Sequence, residues 1–219
     1  MKILIQILLT LSLCLSHTRL EAKETRDEIL ELRPLDVVMI SLNCYVCRII
    51  ESETDSDYSH SAIVLRSENG EVMLAEALGK VKTISLQDFS ARLRQGGRLS
   101  IFRAQEMEDL YRFDNRLFSQ VKAKLEKIYV EKYEGLPFDK EYLWNNYDQK
   151  GREKLYCSEF VVKFLNNFLQ SPLKALPMSF TRHWDAWRQI FGSRPPQGRP
   201  GMSPGDLERS QQLFFVSDL

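Results

Sequence analysis

Charge of one sign is what this chain of 219 residues most plainly lacks: 30 Lys and Arg stand against 30 Asp and Glu. With no excess to meet phosphates or lipid headgroups, composition supplies no case for nucleic acid or an anionic membrane as partner. Long apolar runs are missing too. The longest, "ILIQILLTLSLCLS" after Lys2, holds about a dozen apolar residues, short of the roughly 20 that span a bilayer. No internal repeat is visible, which excludes a solenoid. Metal chemistry lacks its usual ligand spacing. The acidic stretch "ESETDSD" has no ordered oxygen pattern for calcium, and one C-x-x-C without a second ligand pair does not make a zinc site. Neither a metal nor an organic cofactor is expected.

What is present describes an exported globular protein. Lys2, the short apolar run, and then small and polar residues up to Ala22 form the layout of a cleavable secretory signal over residues 1–22. An uncleaved N-terminal anchor is the variant, and the chain's expected means of touching a membrane. The expected address is the periplasm or the outside of a bacterial cell. Residues 23–219, with ordinary charged and aromatic content, suit a single domain with its own core.

Coarse patterning gives an α+β order. A short helix is expected over 24–33, then a strand-rich stretch "DVVMISLNCYVCRII", a solvated loop at "ESETDSD", and a hairpin "SHSAIVLRSENGEVMLAEA". Further strands are expected at "KVKTIS" and "RLSIFRA", with a helix "LQDFSARLRQ" between them. Apolar residues four apart from Phe113 to Tyr129 predict a long amphipathic helix over 109–133, and a second helix follows from Cys157 to Leu169. Residues 193–204 hold four of the eight prolines and read as an extended surface segment; "LFFVS" closes the chain as an edge strand. Strands and helices do not alternate regularly, which disfavours a wound parallel sheet.

Three of the four cysteines lie beyond the signal, so at least one thiol is unpaired. Cys44 and Cys47 form the C-x-x-C, as a local disulfide or as two buried thiols. A redox dithiol needs its first cysteine at a helix start. This segment reads mostly as strand, so exchange chemistry is disfavoured. Cys157 is then the leftover, at or just before the first turn of a helix, where unpaired N–H groups and the helix dipole stabilise a thiolate and could hold an oxyanion. A buried structural cysteine fits that position equally well. Three histidines exist; His17 leaves with the signal, and His60 is a better base for Cys157 than His183 in "FTRHWDAW".

Turn length decides whether His60 has a carboxylate partner. A two-residue turn at Asn69-Gly70 would send Glu76 to the face opposite His60. A three-residue loop Glu68-Asn69-Gly70 would set Ala62 opposite Glu76 and make His60 and Glu76 diagonal neighbours on one face. Either register is open. Glu76 interrupts the apolar "VMLAEAL", and burying a carboxylate there demands a partner.

The pieces "SHSAIV", "LAEAL" and "YCSEFV", in that order, resemble the circularly permuted papain-like, NlpC-type cysteine hydrolases of the YiiX/YebB-like amidase family. "RPLDVVMIS", "EGLPFDKEYLW" and "SPGDLERSQQLFFV" extend the resemblance over most of residues 33–216. Where the family usually has Gly before the Asp of its first strand, this chain has Leu35. The resemblance implies a central antiparallel sheet or small barrel packed against helices, with the catalytic cysteine at a helix N-terminus. It also implies Cys157 as nucleophile, His60 as base and then acid, and Glu76 as orienter of the imidazole. The implied function is cleavage of an amide in a cell-wall peptide or an N-acylated, lipid-like molecule through an acyl-enzyme. An acyltransferase and a non-catalytic binding domain that keeps the fold are the competing readings. No oxyanion side chain is assigned, and Glu159 is expected to serve the helix start instead of the chemistry.

Overall fold

The computed structural model describes residues 32–68, 71–113 and 115–219. The expected signal, nearly all of the short helix expected over 24–33, and the Asn69-Gly70 turn lie outside the described residues. In chain order the elements are β1 (Val37–Ile40), α1 (Tyr45–Thr54), β2 (His60–Glu68), β3 (Glu71–Leu78), β4 (Lys80–Ser85), α2 (Leu86–Ser90), β5 (Leu99–Ala104), α3 (Gln105–Phe113), α4 (Asn115–Ile128), α5 (Cys157–Leu165), α6 (Trp184–Phe191), α7 (Pro204–Glu208) and β6 (Leu213–Asp218). A π-helical turn, Tyr129–Tyr133, continues α4.

Six strands form one antiparallel sheet in the order β6-β5-β1-β2-β3-β4. Its central strands are buried on both faces, so alternation sorts their residues into two cores. Val37, Met39, Ile63, Ala75 and Phe102 face α5 and the end of α4, joining Phe160, Phe164 and Leu125. Val38, Ile40, Ala62, Leu74 and Ile101 face the other way, against Phe89 of α2. The expected mixed α+β architecture with an antiparallel sheet against helices is what forms.

Local departures from the sequence reading have physical causes. The stretch after β1 turns helical at Tyr45 instead of continuing as strand. Cys44 caps the helix, its sulfur accepting the Cys47 N–H at 3.0 Å. Val46, Ile49 and Ile50 then fall on one helical face against Phe180 and Trp187, a third apolar cluster. Glu51–Thr54, expected in a loop, completes α1, which ends at Asp55 with φ 51°. The helix at "LQDFSARLRQ" stops after Ser90, and Leu93 bridges back to Leu42. The helix expected over 109–133 is helical on both sides of residue 114, which lies outside the described residues, and its last turn is the π-helical Tyr129–Tyr133. The proline-rich segment 193–204 is not merely superficial: Pro200–Gly201 pairs with Leu176–Pro177, and Met202 is buried.

The hairpin takes a register that neither simple turn predicts. Glu68 pairs with Glu71, as for a two-residue turn, yet Ala62 pairs with Glu76, as for three. An irregularity between Val64 and Arg66 shifts the ladder by one residue. This β-bulge absorbs the difference, so side chains beyond it change face relative to the partner strand.

Leu35 occupies its glycine-favoring position under strain. Its φ is 69°, in the left-handed region, while its side chain is fully buried in the first core. Burying a leucine contributes about 1.5–3 kcal/mol, enough to offset a left-handed cost of about 1–2 kcal/mol. Leu35→Ala keeps the strain and loses the packing; Leu35→Gly loses the packing and the strain together. Chemical denaturation should therefore rank wild type above Leu35→Gly and Leu35→Gly above Leu35→Ala, by about 1 kcal/mol between the two variants.

Candidate active site

His60 opens β2, Glu76 lies near the end of β3, and Cys157 is the first residue of α5. The bulged register makes His60 a diagonal neighbour of Glu76, with Ala62 directly opposite the carboxylate. His60 Nε2 and Glu76 Oε2 are 2.7 Å apart, with side chains 3% and 0% exposed. The other ring nitrogen is left for Cys157, which lines the same cleft as His60 and lies close enough for each to shift the other's titration. The three residues expected from sequence are thus brought together. A Glu76 turned away from His60 would have favoured the binding-domain reading; the carboxylate instead faces the ring.

Electrostatics favours charge on all three. Burial pushes the Cys157 thiol up, but the hydrogen bond and charge of His60, with N–H groups from Ser61 and Ser158 aimed at the sulfur, bring it below the ordinary value. Burial pulls His60 down, yet the bonds to Cys157 and Glu76 prevail and raise it to about 9. Glu76 resists burial through His60 and Arg92 and is lowered to about 2. The contact thus lowers the Cys157 thiol and raises the His60 ring, the two directions that lead toward a thiolate beside an imidazolium. Tyr156, the N-cap of α5, offers no side-chain cap, so the first-turn N–H groups are not consumed by one.

Sequence reasoning missed the far side of the carboxylate. Arg92 donates to both Glu76 oxygens, at 3.2 and 2.7 Å, and Lys82 Nζ lies 3.6 Å from Oε1. Lys82 was findable: Gly79, with φ 74°, turns the chain between Leu78 and Lys80, which sets Lys82 directly opposite Glu76. Arg92 carried no such signal, because it reaches Glu76 from the turn after α2. Its guanidinium also lies 4.9 Å from the Phe89 ring centroid, and Phe89 stacks on His60 at 5.8 Å. Arg92 and Phe89 therefore hold the acid and the ring from behind.

His183 is placed elsewhere. It is the N-cap of α6, with its ring 2.8 Å from Ser52 Oγ, while Glu53 accepts the N–H groups of Arg182 and His183. Glu159 is fully buried, and its contacts are not with the N–H groups of the helix start: Oε1 accepts from the loop N–H of Asn145 at 3.0 Å and from Lys163 Nζ at 2.7 Å, and Oε2 has no hydrogen-bond partner. Burial raises its pKa from 4.5 to about 7 despite Lys163. A raised carboxyl binds more protons folded than unfolded, so its stabilisation is present below pH 4.5 and lost as pH rises through about 7. Glu159→Gln should match wild type near pH 5 and exceed it by about 1–3 kcal/mol at pH 8 in denaturant melts.

Cys157 and His60 open on a cleft of about 550 Å³. Its walls are mainly apolar: Val46 and Ile50 from α1, Tyr142 and Phe138 from the loop before α5, and Met178, Phe180, Trp187 and Met202 beyond. Tyr142 holds its place with φ 49°, its ring edge-on to Tyr156 and Trp187. From below, Met202 N donates to Tyr156 Oη at 2.9 Å and Ser158 Oγ donates to Met202 O at 2.5 Å, so the proline-rich segment braces the helix that carries the thiol.

The fold is similar to a solved structure, the metalloprotein yiiX from Escherichia coli O157:H7, with a TM-score of 0.67 and 22% identity over 85% of this chain and 97% of that one. Among the described residues here, no group of three or more His, Cys, Asp and Glu is arranged to hold a metal ion. No curated protein matches the chain. A family model described as a permuted papain-like amidase enzyme, YaeF/YiiX, C92 family, matches residues 32–217. With nearly the whole described chain inside that match, the protein belongs to the permuted papain-like amidase family.

Proposed function

We propose that this protein is an exported cysteine amidase that cleaves N-acylated, lipid-like amides through an acyl-enzyme on Cys157. The observation that carries the substrate class is the apolar cleft beside the thiol, since a long acyl chain buries its methylenes there at about 0.8 kcal/mol each. A cell-wall peptide, polar along its length, gains little from Val46, Ile50, Phe180 and Trp187.

The chemistry follows from the charge state. The Cys157 thiolate adds to the amide carbonyl, and N–H groups at the start of α5 stabilise the resulting oxyanion. Imidazolium His60 gives its proton to the departing amine, leaving a thioester on sulfur. Neutral His60 then takes a proton from water as it attacks the thioester; the acid leaves, and thiolate and imidazolium are restored. Glu76 orients the ring and stabilises its positive form throughout. Export rests on the residues 1–22 pattern, and a single domain over 23–219 on chain length.

Intact mass spectrometry after mixing with N-acyl amides from acetyl to palmitoyl tests the reading. A thioester adduct on Cys157 and a kcat/KM that climbs with chain length are expected. A flat chain-length series with preferred cleavage of wall peptides would overturn the substrate class. Added alcohol or amine acceptors that divert the acyl group from water would convert the hydrolase into a transferase.

A further inference from the structure

Every cysteine among the described residues faces one space: Cys44, Cys47 and Cys157 all line the cleft. The amide chemistry uses Cys157 and leaves the other two unexplained. They form a disulfide within the first turn of α1. So short a loop loses little chain entropy on closure, so stabilisation is a weak reason for the bond. Its surroundings are those of a reactive pair. Cys44 is the N-cap of a ten-residue helix and is exposed; Cys47 is 5% exposed. The Cys47 N–H points at the Cys44 sulfur, 3.0 Å away, and no acidic residue occupies the first turn. Once the bond opens, helix dipole and N–H together favour a thiolate on Cys44. The strand reading that argued against redox chemistry does not hold at this position.

We propose that Cys44–Cys47 is a thiol–disulfide exchange site opening on the cleft, and that its partner is a dithiol reductant. One thiolate of the dithiol attacks the sulfur of Cys44, the more exposed residue of the pair, forming a mixed disulfide and releasing Cys47 as thiolate. The second thiol of the reductant, deprotonated to solvent, then attacks its own sulfur in that mixed bond. The reductant closes its disulfide, and Cys44 leaves as thiolate. Two electrons pass from the dithiol to the protein pair, and the released thiolates take protons from solvent according to their pKa; the reverse sequence reoxidises the pair. Amide cleavage plays no part in these steps, so the two readings fail independently.

The test uses the full-length chain with Cys14→Ser and Cys157→Ala, which leaves Cys44 and Cys47 as its only cysteines. Folded protein is equilibrated in graded dithiothreitol or glutathione redox buffers, acid-quenched, alkylated and weighed. The expected result is reversible reduction by millimolar glutathione with circular dichroism unchanged, because structural disulfides resist that buffer. Cys44 should then alkylate at mildly acidic pH about tenfold faster than Cys47. Cys47→Ser in the same background should trap a single glutathione on Cys44. A bond that opens only in denaturant, equal alkylation of the two thiols, or a Cys47→Ser chain that folds and traps no glutathione would each overturn the proposal.

Discussion

Cys157→Ala should reduce amide hydrolysis to background, a loss of about a million-fold in kcat, as when the nucleophile of a coupled relay is removed. The loss should be in kcat, because the apolar cleft that binds the acyl chain is untouched, and substrate affinity should stay within a few-fold. Iodoacetamide labelling at mildly acidic pH should vanish with the sulfur. Full labelling of the variant would place the reactive thiol elsewhere. Because Cys157 is buried, circular dichroism of the variant should be checked, and a native spectrum is expected alongside the lost turnover.

Glu76→Gln carries the second large effect, with a kcat loss of about 10²–10⁴-fold and little change in KM. Gln fills the same space, but the negative charge that holds His60 positive is gone. Arg92 and Lys82, which faced a carboxylate, now face a neutral amide beside an imidazolium. All three changes act in one direction. The His60 pKa falls from about 9, the imidazolium no longer lowers the thiol as far, and Cys157 rises toward its ordinary value. The pH window of activity should narrow from both sides, the acid limb moving up and the alkaline limb down. A role confined to stability would lower the amount of folded enzyme and leave both limbs where they were.

The residues with the heaviest chemistry were legible in the sequence because each violated its local pattern. Glu76 broke an apolar strand, Cys157 was the odd cysteine at a helix start, and His60 was the one well-placed ring. Their convergence was legible only as a conditional. The register rested on turn length, and the chain uses a bulge between Val64 and Arg66 that no turn rule reports. Arg92 was invisible because its partner comes from a different element, reached across the sheet face. The helix at Tyr45–Thr54 is not legible in the sequence for a different reason. Val46, Ile49 and Ile50 are β-branched and suggest strand, but packing on Phe180 and Trp187 overrides that propensity, as tertiary contacts commonly do. The same override sets Cys44 at a helix start, a position that strand propensity does not report.

The most direct measurement is the rate of Cys157 alkylation in the folded chain across pH. An ion pair of buried sulfur and ring predicts labelling that is already fast in mild acid, holds level through neutrality, and changes again only near pH 9 as the imidazolium loses its proton. A single rise centred near pH 8.5, the curve of an ordinary thiol, would show that the ring does nothing for the sulfur.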